Sequence, residues 1–157
     1  MKYSYHAMLG HGFLIIFLSM CLGIGLLISL VGGMELIPGN IIAFSIPGDS
    51  GAWARAHVGG ILNGMLIVIG ALTASHLNAE TAFAKRLCWM LVGTGYANFV
   101  FYIAAIIADN RALTFGSNQF GETSISAILG LLPALVFVVI SLIAVWSLMR
   151  LAFKAAP

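Results

Sequence analysis

Four stretches of this chain, residues 12–34, 56–78, 87–108 and 123–149, contain no Asp, Glu, Lys or Arg and are rich in Leu, Ile, Val and Phe. Each reaches the ~20 residues that an α-helix needs to cross the hydrocarbon core of a bilayer, where every backbone polar group must find its partner inside the segment. The pattern predicts an all-α integral membrane protein: one four-helix transmembrane domain over residues 1–157, with spans at about those positions. Composition excludes a soluble fold, because only 8% of the residues are charged while 61% are hydrophobic and the mean hydropathy is +1.07. A soluble surface needs roughly a quarter to a third charged residues. The first apolar run is far longer than the ~7 to 15 residues of a signal-peptide core and no small-residue cleavage site follows it, so it is expected to remain as a span.

With four spans, both termini and the loop around Lys85 share one side of the membrane. That side holds Lys2, Lys85, Arg86, Arg150 and Lys154, against Arg55 and Arg111 on the other. Short loops obey the positive-inside rule, which predicts a multi-pass protein with both termini in the cytoplasm. The net charge of +2 is therefore accounted for by topology, and no basic cluster points to a nucleic acid. Cys21 and Cys88 lack any CxxC spacing and read as buried free thiols.

The short connection over residues 79–86 predicts that the second and third helices are antiparallel neighbours. Pro133 should kink the fourth span. The outer loops are longer. In the first, Ile37-Pro38-Gly39 and Ile46-Pro47-Gly48 bracket an extended-looking segment, residues 40–45, which suggests a small hairpin-like cap. The second repeats Phe-Gly at Phe115-Gly116 and Phe120-Gly121, residues fit for a lid or for interfacial anchoring.

Polar groups inside such helices are few and costly, so each is a candidate site residue. His57 lies near the mouth of the second span. Thr94, Asn98 and Tyr102 recur at i, i+4 and i+8 on the third, a spacing that serves either a pocket or a hydrogen-bonded seam between helices, and Gly60 and Gly64 favour close packing of the latter kind. At ~1.5 Å per residue, Tyr102 falls between the levels of His57 and Asn63 in the outer half of the membrane. His57 and Asn63 are about 120° apart around their helix, however, and need not face one cavity of one subunit; a ligand held between subunits would resolve that. Zinc is disfavoured because no second His, Cys or acid is near in sequence. A haem needs one axial imidazole and an apolar slot. His6, His11 and His76 all fall toward the cytoplasmic side, so a haem iron on His57 would keep an open sixth position. The bland reading is that His57 bonds a backbone carbonyl near a helix start.

Several blocks together resemble the styrene oxide isomerase family: Gly10-His11-Gly12, Leu30-Val31-Gly32-Gly33, Ile37-Pro38-Gly39, Trp53-Ala54-Arg55-Ala56-His57, Leu62-Asn63-Gly64-Met65, Ala97-Asn98, Phe101-Tyr102, Leu113-Thr114-Phe115-Gly116 and Asn118-Gln119-Phe120-Gly121. The resemblance runs from the first helix to the second outer loop. It implies a homotrimer with a haem b at each subunit interface, carrying His57 as axial ligand to ferric iron. Asn63 and Tyr102 would then position a small hydrophobic epoxide for a Meinwald rearrangement to the aldehyde, with no net electron transfer. Thr94 stands where an acid is expected, and Ser117 and Glu122-Thr123-Ser124 stand where Pro or Gly is expected; these departures bear on substrate preference and access. Two other classes compete with this reading: a b-type haem electron carrier with His11 and His76 as paired axial ligands, and a haem-free bundle in which the polar residues only join helices.

Overall fold

The computed structural model describes residues 2–155, with side chains from Tyr5 onward, so the Lys2 side chain counted above lies outside the described residues. Four helices, α1 (Lys2–Val31), α2 (Ser50–His76), α3 (Thr81–Ile107) and α4 (Ile125–Lys154), are each long and apolar enough to cross a membrane. The protein is a four-helix membrane protein. Every helix is longer than its charge-free stretch. Absence of charge marks contact with hydrocarbon, whereas the backbone ladder continues into the interface, where Lys85, Arg86, Arg150 and Lys154 carry charge on helical turns.

The helix ends follow local chemistry. Gly32, at φ +72°, ends α1, and its amide donates to the Ile28 carbonyl at 2.8 Å. Residues 33 and 34, assigned by charge to the first span, instead begin a strand. Strands β1 (Gly33–Ile37) and β2 (Asn40–Ala43) form an antiparallel hairpin that pairs Gly33 with Ala43 and Glu35 with Ile41. The hairpin thus turns at Pro38-Gly39, with Gly39 at φ +80°, and is not a segment bracketed by both Pro-Gly pairs. The Glu35 carboxylate accepts from the Gly39 amide and closes the turn. The second pair leads to Asp49, whose carboxylate accepts from the Ala52 amide at 2.9 Å and caps α2. Ser124 caps α4 in the same way through Ala127. α4 runs unbroken through Pro133, so the lost amide bond does not end it.

α1 packs along α2, α2 on α3 and α3 on α4, while α4 barely touches α2. The antiparallel α2–α3 pair follows from the short link between His76 and Thr81. Glycines make the α1–α2 seam tight. A Cβ on Gly60 would stand 2.0 Å from Ser19 Oγ, and one on Gly64 would stand 2.7 Å from the Gly12 carbonyl. The main core, built on Met8, Ile15, Ile67, Leu87 and Leu91, fills the half of the bundle nearer the chain termini. Smaller alanine-rich clusters lie toward the outer end. Neither cysteine forms a disulfide, but Cys21 is exposed on α1, where its face looks away from the other helices, and so is not the buried thiol expected.

Candidate active site

His57 sits on the side of α2 that meets α1. Its Nδ1 lies 2.8 Å from the carbonyl oxygen of Ser19. The imidazole fits there because α1 has no side chain one turn further on: a Cβ on Gly23 would come within 2.8 Å of the ring. A carbonyl only accepts, so the contact requires a proton on Nδ1, and the neutral ring then keeps its lone pair on Nε2. Nε2 has no hydrogen bond among the described residues. The expected carbonyl contact is present, and it is also the arrangement by which proteins orient a metal-binding imidazole. Among the described residues no group of three His, Cys, Asp or Glu side chains converges. An iron on His57 would therefore have to bring its remaining ligands with it, as a haem does.

On the α3 side of α2 the polar groups form a chain. Asn63 Nδ2 donates to the Gly59 carbonyl at 2.7 Å and to the Tyr102 hydroxyl at 3.3 Å, and Asn98 Nδ2 donates to Asn63 Oδ1 at 2.8 Å. Asn98 thus occupies the acceptor of Asn63 and sets its amide with the nitrogen toward Tyr102. The phenol lies against bare backbone, since a Cβ on Gly59 would come within 2.6 Å of its oxygen. Because the Tyr102 oxygen accepts from Asn63, its own proton is directed elsewhere; no acceptor for it occurs among the described residues. The chain ends in an uncommitted donor beside a cluster formed by Ala52, Ala56 and Ile106.

The three-residue stripe on α3 divides. Asn98 and Tyr102 turn to α2, whereas Thr94, 3% exposed, donates to the Met90 carbonyl at 2.7 Å and approaches the Phe137 carbonyl of α4 at 3.4 Å. Thr94 thus lies in the α3–α4 seam and does not join the Asn63–Tyr102 chain. His57 and Asn63 diverge around α2 as their spacing requires, and no hydrogen bond among the described residues links them.

His11 of α1 is held by a side chain of α3. Its Nδ1 shares a 2.8 Å hydrogen bond with the Tyr96 hydroxyl, edge-on to that ring, and the neighbouring Gly12 packs against Gly64 and Val68. α1 starts at Lys2, so His11 lies about 13 Å along the axis from that end, in the half of the helix nearer the N-terminus. His76 lies on the last turn of α2, about 12 Å beyond the level of Val68. No hydrogen bond or ring contact among the described residues joins the two histidines.

At the outer end, Asn110 is fully buried and organises the second loop, donating to the Thr114 and Gly116 carbonyls and accepting from the Ala112 amide. Asn118 donates to the Asn110 carbonyl at 3.0 Å. Nothing in the sequence singled out Asn110; an Asn in a loop is ordinary, and its value lies in burial that only the fold creates.

A family model described as styrene oxide isomerase matches residues 4–153. A styrene-oxide isomerase from Pseudomonas fluorescens is similar at 42% identity over 135 residues, which cover 86% of this chain and 80% of that protein.

Proposed function

Since the chain belongs to the styrene oxide isomerase family and is an isomerase, we propose that it converts styrene oxide or a related aryl epoxide to the corresponding aldehyde by a Meinwald rearrangement. The observation that carries this reading is the Asn98–Asn63–Tyr102 chain, which ends in a phenol proton free to meet an epoxide oxygen. As the benzylic C–O bond opens, negative charge grows on that oxygen. Tyr102 donates a hydrogen bond to it, and Asn63, itself held by Asn98, donates to the phenol oxygen and so turns the phenol proton toward the substrate. A 1,2-hydride shift onto the benzylic carbon then forms the aldehyde, without net oxidation. The outer-half surroundings, alanine and isoleucine with the Trp53 ring, keep water from capturing the cation as a diol.

The donor set at His57 fits a haem b: Nδ1 is fixed on a carbonyl and Nε2 is left for iron. Bound there, ferric haem would supply a Lewis acid for the epoxide oxygen. His57 and Asn63 leave α2 in different directions, so a homotrimer in which one subunit's His57 faces the next subunit's Asn63 and Tyr102 would bring both halves to one substrate. The distribution of Lys85, Arg86, Arg150 and Lys154 against Arg55 and Arg111 supports cytoplasmic termini in a bacterial inner membrane.

The direct test is to incubate purified membranes bearing the protein with styrene oxide. Phenylacetaldehyde should form at a rate proportional to intact protein, and an absorption spectrum of the same sample should show a Soret band. No aldehyde above that of control membranes would defeat the reading.

A further inference from the structure

The outer end of the molecule holds a cleft that the reaction above does not use. Its volume is about 570 Å³, and it is lined by Pro47 and Asp49 ahead of α2, Ile106 and Ile107 at the end of α3, and Arg111 and Phe120 of the second outer loop. One cation holds its rim together. Arg111 Nη2 is 3.1 Å from Asp49 Oδ2, and the guanidinium lies 4.2 Å from the centre of the Phe120 ring. Arg111 and Ala112 both adopt positive φ, 57° and 52°, a setting that side chains other than glycine rarely take and that the buried Asn110 bonds enforce. The rim is thus a built shape joined to the cap of α2.

The floor leads inward. Ile106, 6% exposed, lines the cleft and belongs to the cluster of Ala52 and Ala56 against which Tyr102 packs. Ile106 and Tyr102 are one turn apart on α3 and share a face, about 6 Å apart along the axis. The cleft and the phenol thus share Ile106 as a common neighbour.

We infer that this cleft is the entry site for a small apolar epoxide, and that Ile106 is the specificity-determining threshold between it and Tyr102. The inference rests on the isomerase reading and adds a place and a residue to it. Ile106, Ile107 and Phe120 offer an apolar bed for an aryl ring, while the Asp49–Arg111 rim keeps the polar oxygen near water. An aryl epoxide also dissolves in lipid, so lateral entry between helices is the competing route, and it would pass Ile106 by.

The experiment compares kcat/KM for styrene oxide and for its para-tert-butyl derivative in the complete membrane protein and in Ile106→Ala, Ile106→Val and Ile106→Phe. Rates are normalised to folded protein by melting temperature and gel filtration. Ile106→Ala should raise the bulky-to-small ratio about tenfold, Ile106→Val should raise it less, and Ile106→Phe should lower it, because a methylene or more of space in an apolar passage changes discrimination by roughly tenfold or more. A ratio unchanged across the series would overturn the inference even if absolute rates fell, since a merely structural Ile106 acts on both substrates alike. If Ile106→Ala does not assemble, the Val and Phe variants decide by the same ratio. A wild-type protein inactive on both epoxides would instead overturn the isomerase reading, and this inference with it.

Discussion

The two sides of α2 solve opposite problems. Toward α1 the seam is lined by glycine, the helices nearly touch, and a single ring–carbonyl contact leaves a lone pair available on His57 Nε2. Toward α3 the seam is filled by side chains, and a chain of amides leaves a proton available on Tyr102. On the proposed function, the first face would hold an electrophile and the second would donate to the oxygen that it activates. Backbone carbonyls suit the first task because they fix a tautomer without competing for the outer nitrogen. Linked side chains suit the second because each polarises the next.

The comparison is broken most severely by His57→Ala. Among the described residues it removes the imidazole that α2 presents to α1 at Ser19, so the purified protein should lose its Soret absorbance and its turnover together, whereas His76→Ala should keep both. A His57→Ala protein with full absorbance and full activity would refute the division of labour.

Tyr102→Phe tests the other face. It removes one hydroxyl that touches no proposed iron ligand, so the spectrum should persist while turnover falls roughly 30- to 1,000-fold, the range expected for losing a donor aimed at developing negative charge. Asn63→Ala should behave alike. If both variants melt earlier but turn over normally per folded molecule, the chain is only a seam.

A smaller effect is expected for Asn98→Ala. Asn63 would keep its bond to the Gly59 carbonyl but lose the partner that sets its amide, a neutral hydrogen bond worth about 1 kcal/mol net, so turnover should drop by about 2- to 10-fold. The loss should vanish in an Asn63→Ala background, which kinetics on the double variant would reveal.

Thr94→Val should change least. Its hydroxyl serves the α3–α4 seam, where such bonds average about 0.6 kcal/mol, so a slightly lower melting temperature with unaltered turnover is expected. A clear change in substrate preference would return Thr94 to the pocket.

Charge and hydropathy alone located the four helices, because hydrocarbon tolerates few exceptions, and the same intolerance singled out His57, Asn63 and Tyr102. What they missed has particular causes. Gly33 and Met34 are apolar and uncharged, so nothing marked them as strand; the deciding event is the left-handed turn at Gly32. Thr94 shares a face with Asn98 and Tyr102 by spacing, yet its short side chain bends back to its own helix and α4. Asn98 was visible as part of a stripe, but its role depends on which atom of Asn63 it meets, a fact of side-chain orientation that spacing does not contain.

The meshing of α1 with α2 has a mechanical consequence. Ser19 seats in the gap at Gly60, and the Gly12 carbonyl seats in the gap at Gly64, like teeth in two notches of a shaft. A shaft so engaged cannot roll about its own axis without disengaging both. Roll is the motion that would swing His57 and Asn63 together relative to α1 and α3, so the notches act as a detent that holds both side chains at a single setting against their neighbours.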